Sequence, residues 1–205
     1  MEQGTRKVIV GAIMSAQVLS STPAGAGKRE APDLVVYVSD QAGTDPALFD
    51  QARSQADRIF NDVGVRPIWR EVKEGLYNPG CDGFSVLVTL RSPEMVQRLS
   101  LLGMSEKVLG SAASGSDRAF IHPARIQEFA SRTRSRAGDL MGRVMAHEIG
   151  HLLLPAGHSH YGIMTAGMET EPGLATRFTS PEARVIRSVV EARSAAFTRG
   201  ENCES

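Results

Sequence analysis

Residues 139–154 have the sequence DLMGRVMAHEIGHLLL, and this stretch carries the strongest signal for the fold. Apolar side chains occupy much of the circumference that a helix would have here, which predicts a helix buried in the middle of the domain. Asp139 can cap this helix and Pro155 can stop it. Its second half contains the motif HEIGH at positions 147–151, two histidines four residues apart.

The HEIGH motif has the spacing of a zinc site. Positions i and i+4 share one face of a helix a single turn apart, so His147 and His151 can both reach one zinc ion. Glu148 then lies beside them, where it can take a proton from a zinc-activated water and return it to a leaving amine. Two core histidines bonded to the backbone are the alternative, but a buried ionisable trio without a metal is costly.

A catalytic zinc usually has three protein ligands and one open position, so a third ligand is needed. The sequence PAGHSHYGIMTAGM follows the helix at 155–168 and offers His158 and His160. Tyr161 in the same segment is interpreted as a packed side chain rather than as a group that assists an oxyanion. The fifth histidine, His122, follows a predicted strand, and we leave it out of the site.

These residues resemble the metzincin clan of zinc metallopeptidases, whose signature is H-E-x-x-H-x-x-G-x-x-H followed by a methionine-containing turn beneath the metal. The strings HEIGHLLL, HSxxGIM and RFTSPEARVIR also resemble a group of secreted bacterial metzincin-like proteins. The resemblance implies that His147 and His151 are zinc ligands, that Glu148 is the general base and that Met164 belongs to the methionine turn. It extends in general layout over residues 33–195.

The chain departs from the clan's pattern after the helix. Leu154 stands where the clan has glycine and Gly157 where it has the third histidine, so His158 comes one position late. Pro155 and Gly157 could make the same turn one residue longer. We therefore expect His158 to be the third ligand. The alternatives are His160 and the carboxylates of Glu171 and Glu182.

The elements before the helix predict a mainly parallel sheet. Residues 33–39 (DLVVYVS) and 84–90 (FSVLVTL) have the β-branched composition of buried strands, and residues 65–72 have a weaker strand pattern. A helix is predicted over 46–62, since its apolar residues recur near helical spacing. A strand, a long helix and further strands in this order favour a right-handed crossover.

The remaining segments complete an α/β (α+β, zincin-like) fold with a twisted mixed sheet, a long backing helix, a buried active-site helix and a C-terminal helix. Residues 108–113 and 118–124 are expected to be short strands, and the resemblance implies that the first is an antiparallel edge along which a peptide can add as a strand. Residues 131–138 are interpreted as a solvated basic loop. The last helix is predicted over 181–197, with Ser180 as its cap.

The N-terminus has the pattern of a secretory signal peptide. Arg6 and Lys7 precede the apolar run VIVGAIMSAQVL, and Ala24-Gly25-Ala26 provides the cleavage site. We expect a signal peptide at 1–26, a single catalytic domain at 27–205, and a secreted or periplasmic location. A short membrane anchor and a buried N-terminal helix are the alternatives. No later stretch has the apolar length that a membrane span needs.

Charge and cysteine content narrow the class of protein further. The 205 residues contain 23 basic and 23 acidic side chains, and removal of residues 1–26 changes the net charge only to −1. This balance removes the electrostatic case for a nucleic-acid or anionic-membrane binder, and we expect a monomer with a peptide or protein substrate. Cys81 and Cys203 permit one disulfide in an oxidising compartment, or they remain free thiols.

The sequence thus predicts a secreted zinc-dependent endopeptidase, with a specificity pocket within residues 165–180. A secreted non-catalytic binding domain that keeps the fold and the zinc is the first alternative. Glu148 argues against it, because a structural zinc needs no base. A metal-free α/β module with fortuitous histidines is the second alternative.

Overall fold

The computed structural model describes residues 31–73, 77, 85–113, 115–155, 157–166 and 176–198. The expected signal peptide, both cysteines and Glu171 lie outside the described residues. No helix in the described ranges is long and apolar enough to cross a membrane.

A five-stranded mixed sheet forms the centre of the fold. Its strands are β1 (Asp33–Asp40), β2 (Arg66–Glu71), β3 (Ser85–Leu90), β4 (Gly110–Ala112) and β5 (Arg118–Ile121), in the order β2-β1-β3-β5-β4. β1, β2, β3 and β5 run parallel, while β4 pairs antiparallel with β5 at one edge. β2 forms the other edge, which tolerates Pro67 because an edge strand needs fewer ladder donors. The predicted fold class, including the antiparallel edge, is confirmed.

Five helices accompany the sheet in the described residues. They are α1 (Pro46–Asp62), α2 (Pro93–Leu101), α3 (Pro123–Thr133), α4 (Ala137–Leu153) and α5 (Ser180–Thr198). α1, α4 and α5 begin and end within two residues of their predicted bounds. α2 was not predicted, although its start is marked by the Ser92 hydroxyl, which accepts a hydrogen bond from the amide of Met95 at 3.3 Å.

The prediction of a basic loop over residues 131–138 is wrong at both ends, since residues 137–138 already belong to α4. Residues 131–133 are the last turn of α3, and Arg134 ends that helix in a left-handed conformation with φ of 54°. The arginines are compatible with a helix because they face water, and Arg132 pairs with Glu128 at 3.0 Å one turn earlier.

Two predicted helix caps are corrected. α4 begins after Arg136, so Asp139 lies in its first turn and caps nothing with its side chain. α5 begins at Ser180, and its cap is Thr179, one residue earlier than predicted. The carboxylate of Glu182 accepts a hydrogen bond from the amide of Thr179 at 2.7 Å, and the Thr179 hydroxyl accepts one from the amide of Glu182 at 3.5 Å. This reciprocal arrangement is a capping box.

α4 is buried between α1 and the sheet. A Cβ atom on Gly142 would lie 2.3 Å from the carbonyl oxygen of Ala52 in α1, so the two helices are in backbone contact at this point. The neighbouring Met141 and Met145 of α4 are fully buried in the core cluster that includes Val36 of β1. This packing carries the C-terminal half of α4 to the edge of the sheet where β4 lies, and the HEIGH motif is in that half.

Candidate metal centre

The two histidines of α4 face each other across one helical turn. Their Nε2 atoms are 3.0 Å apart. His147 is only 6% exposed, whereas His151 is half-buried. The structure therefore brings both imidazoles of the HEIGH motif to one point, with the deeper one on the protein side.

A backbone carbonyl fixes the orientation of His147. The Nδ1 atom of His147 lies 2.7 Å from the carbonyl oxygen of Ile163. Because a carbonyl oxygen only accepts hydrogen bonds, Nδ1 carries the proton and Nε2 keeps a free lone pair. Such an outer hydrogen bond sets the tautomer and the ring angle that a metal ligand needs.

The Ile163 carbonyl is itself held by a tight turn over residues 159–165. The amide of Ile163 donates to the Arg177 carbonyl at 2.7 Å, and the amide of Ser159 donates to the Met164 carbonyl at 2.9 Å. Gly162 has φ of +78°, and a Cβ atom there would lie 2.9 Å from the same Arg177 carbonyl. Only glycine fits this position, since it needs both the left-handed conformation and the close approach. The turn is thereby fixed against the segment that leads into α5.

Met164 lies beneath α4, as the methionine turn of the resemblance implies. Its side chain is fully buried. A Cβ atom on Gly150 would lie 2.6 Å from the Met164 sulfur and 2.9 Å from a ring carbon of Phe178. The glycine inside the HEIGH motif therefore makes room for these two side chains. The sequence interpretation assigned no role to Gly150 or Ile163, because their partners lie far along the chain.

His158 completes a three-histidine cluster. One ring nitrogen each of His147, His151 and His158 lies within 4.8 Å of the others. His160 and Glu182 do not belong to this cluster in the described part of the chain. His160 is exposed, and the carboxylate of Glu182 is engaged in the capping box of α5. Of the third-ligand candidates that the structure describes, His158 alone belongs to the cluster, and Glu171 lies outside the described residues.

Burial and mutual repulsion keep the two histidines of α4 neutral. Burial lowers the pKa of His147, although its hydrogen bond to Ile163 opposes this effect. Burial, followed by the charges of His147 and His158, lowers the pKa of His151 to about 4. Both rings are neutral at pH 7, and this is the form that binds a metal.

Glu148 is buried beside the cluster and packs against the edge strand. It is 6% exposed, and burial raises its pKa to about 8. A Cβ atom on Gly110 of β4 would lie 2.8 Å from Cγ of Glu148 and 2.9 Å from Oε1. The lack of a side chain at this position of β4 thus makes room for Glu148. This role is additional to the pairing of a peptide along this strand, which the resemblance implied.

The cluster lies in an open cleft of about 1010 Å³. One wall is β4 and the loop that follows it, and the other contains the end of α4 with Leu152 and Leu154. Arg193 of α5 lines the cleft as well. His122 lies outside it, where its Nδ1 atom is 3.0 Å from the Val108 carbonyl oxygen.

Tyr161 does not have the packed position that the sequence suggested. Its side chain is 78% exposed and is not part of the cleft lining. The cause is its place in the tight turn, directly before Gly162, where the backbone reverses at the protein surface.

The donor set fits a transition metal such as zinc. Two nitrogen ligands of a tetrahedral zinc lie about 3.3 Å apart, given Zn–N bonds of about 2.0–2.1 Å. The 3.0 Å between the Nε2 atoms of His147 and His151 is close to that separation. Imidazole ligands also suit copper, iron and nickel, so the cluster by itself defines a metal site rather than a zinc site.

Comparison with solved structures identifies the fold. The chain is similar to the crystal structure of archaemetzincin (amzA) from Methanopyrus kandleri, with a TM-score of 0.52 and 12% sequence identity, over 81% of this chain and 99% of that one. The chain therefore has a metallopeptidase-like fold of the metzincin type. At this identity the likeness concerns the fold alone. No protein-family model and no curated protein sequence matches the chain.

Proposed function

We propose that the chain is a zinc-dependent endopeptidase whose ligands are His147, His151 and His158 and whose general base is Glu148. The observation that carries the proposal is the convergence of three imidazole nitrogens within 4.8 Å of one another, next to a buried carboxylate, in a cleft bordered by an edge strand. The metzincin-type fold also supports the proposal. The resemblance of the HEIGH motif and the methionine turn implies the same roles for the two histidines and the glutamate of that motif.

The chain's own residues supply orientation and proton transfer. When bound, zinc provides a Lewis acid that polarises a peptide carbonyl and makes a water more acidic. Ile163 holds His147 in the tautomer that directs its lone pair into the site. Glu148 takes the proton of the attacking water and gives it to the leaving amine. Burial raises the pKa of Glu148 to about 8, and a cation held by the imidazoles would lower it towards the carboxylate form that a base requires.

The substrate that fits the cleft is an extended peptide. Among the described strands, β4 pairs with β5 alone and ends the sheet. The outer backbone groups of such an edge strand are able to pair with an added strand. Gly110 and Ala112 carry little side chain, so a peptide backbone can lie close to β4. Substrate recognition is then mainly through main-chain hydrogen bonds.

We further propose that the chain is exported and acts outside the cytoplasm. The N-terminal pattern of basic residues, apolar run and Ala24-Gly25-Ala26 supports this, as does the resemblance to secreted bacterial metzincin-like proteins. Intact-mass analysis of the secreted or periplasmic protein tests it. A mature chain that starts at Gly27 is the expected result, and a full-length chain retained in the cytoplasm would contradict it.

The decisive experiment for activity is a comparison of two glutamate variants. Zinc-loaded wild type is expected to cleave casein or a peptide library, whereas Glu148→Gln keeps its zinc and loses about 10²–10⁴-fold in rate. Glu128→Gln is the matched control, because Glu128 lies on the exposed surface of α3, where its carboxylate pairs with Arg132. Equal activity in wild type and Glu148→Gln contradicts the proposed base. Bound zinc without cleavage of any peptide supports the non-catalytic alternative instead.

A further inference from the structure

A second cavity, of about 280 Å³, lies on the face of the sheet opposite the main core. Side chains alternate across a strand, and Val38 of β1 and Val88 of β3 belong to the core beneath α1 and α4. Ser39 and Thr89 therefore face the other side, where they line this cavity. The cavity shares no lining residue with the cleft of the metal cluster.

The cavity lies at a point of the sheet where open α/β folds commonly bind ligands. Ser39 and Thr89 are register partners near the carboxyl ends of β1 and β3. β2, the strand that follows β1 in the chain, lies on one side of β1, and β3 lies on its other side. From β3 the chain continues away from β1, towards β5. Connections that diverge from two neighbouring parallel strands leave a crevice at their carboxyl ends, and this crevice is the usual ligand position.

The charged side chains that line the cavity are cations, whereas Asp40 and Glu71 line the neighbouring cavity that shares Lys73 with it. These cations are Lys73, Arg91 and Arg118, and no described lining residue is a carboxylate. Arg118 lies 3.9 Å from Asp117, which partly balances its charge. No carboxylate in the described residues pairs with Lys73 or Arg91, and desolvation without a compensating anion lowers the pKa of Arg91. Two uncompensated cations at one cavity favour an anionic occupant.

The arginine is also held in place. The guanidinium carbon of Arg91 lies 3.7 Å from the ring centroid of Phe120, which is the next residue along the row that contains Ser39 and Thr89. Stacking on an aromatic ring restricts the guanidinium and leaves its N–H groups at the edge free to bind a planar or tetrahedral anion.

The floor of the cavity offers hydroxyl groups. Ser39 is 6% and Thr89 is 7% exposed, and neither hydroxyl makes a hydrogen bond within the part of the chain that the structure describes. Because both residues line the cavity, a ligand or solvent in it can bond to their hydroxyl groups. Gln41, two residues after Ser39 on the same face, adds an amide.

We propose that this cavity is a binding site for a small anion, the carboxylate or phosphate group of a small molecule, held by Arg91, Lys73 and the hydroxyls of Ser39 and Thr89. A volume of 280 Å³ is at the lower end of that of small-molecule pockets, which fits a compact ligand. Because the two cavities share no residue, the site is separate from the proposed peptidase centre and does not depend on it.

The test is calorimetric titration of the zinc-loaded mature protein at low ionic strength, with inorganic phosphate and with succinate as probes. Saturable binding of one or both is expected in the wild type. Arg91→Gln and Thr89→Val are each expected to weaken it about tenfold, a change typical for the loss of one charged or buried hydrogen-bonding group. Arg98→Gln removes the same charge from the exposed surface of α2 and is expected to bind as the wild type does.

The two probes distinguish the ligand's chemistry, since tighter binding of phosphate indicates a phosphate group and tighter binding of succinate a carboxylate. The absence of saturable binding by either probe overturns the proposal. An equal loss in Arg91→Gln and Arg98→Gln also overturns it, because the effect is then one of net charge. Anion binding that is lost when the zinc is removed but persists in Arg91→Gln places the anion at the metal. That result also overturns the proposal. If Arg91→Gln fails to fold, the binding affinity of Thr89→Val provides the test instead.

Discussion

A Cβ atom on Gly110 of β4 would lie 2.8 Å from Cγ of Glu148 in α4, closer than real Cβ atoms approach other carbons. The edge strand that borders the cleft and the carboxylate proposed as the base are thus in direct contact. The position of one limits the position of the other, although the two residues are distant in sequence.

The first prediction follows from this contact. Gly110→Ala is expected to displace the Glu148 side chain and lower kcat about 100-fold, the cost of a misplacement of about 1 Å. Zinc content is expected to stay close to wild type, because the three histidines are untouched. Steady-state kinetics with metal analysis measure both. A parallel loss of zinc and of thermal stability would show that Gly110 acts only on folding.

The second prediction concerns the third ligand. His158→Ala is expected to weaken zinc binding by at least about 100-fold, because a ligand is lost rather than an outer hydrogen bond. His160→Ala, two residues further on and outside the cluster, is expected to bind zinc as the wild type does. Competition with a chromophoric chelator measures the zinc dissociation constants of both variants. The reverse pattern would assign the third ligand to His160.

The third prediction tests the contact between α1 and α4. Gly142→Ala places a methyl group 2.3 Å from the carbonyl oxygen of Ala52, and a backbone atom cannot move away without separating the helices. We expect a loss of about 2 kcal/mol or more in the free energy of unfolding by urea, despite the roughly 1 kcal/mol that alanine gains in helix propensity.

Gly157→Ala serves as the control for this measurement. No atom of the described residues lies within 4 Å of a Cβ atom on Gly157, so a change of less than about 0.5 kcal/mol is expected. Equal effects of the two substitutions would mean that the close helix contact does not limit stability.

The fourth prediction is a pH dependence of the metal-free protein. The pKa of Glu148 is raised from 4.5 to about 8, so between these pH values the folded chain holds a proton that the unfolded chain has released. The contribution of Glu148 to stability therefore falls as the pH rises through this range. Glu148→Gln has no such proton and is expected to be more stable than wild type at pH 8, by several kcal/mol at most.

Urea unfolding after chelation, at pH 4.5, 6 and 8, measures this difference. It should shrink towards pH 4.5, where the folded wild type is protonated and the unfolded chain has regained half of its proton. A difference that does not change with pH would show that Glu148 is not the group that titrates.

The sequence indicated the sheet and the main helices because their signals are local. The β-branched runs of β1 and β3 and the apolar periodicity of α1 and α4 repeat over a few residues. α2 and α3 were not predicted, because helices of 9 and 11 residues give only a short periodic pattern. The arginines at the end of α3 made that segment resemble a loop, although on a helix surface they face water.

For the candidate site, the sequence by itself determined the pair His147 and His151 with Glu148 beside them, because an α-helix fixes the positions of residues four apart. Only the tertiary structure decided the rest. The place of His158 depends on a turn held by the contact of Ile163 with Arg177, and the place of Glu148 depends on Gly110 of another strand. Such contacts join segments that are distant along the chain, and no local spacing in the sequence encodes them.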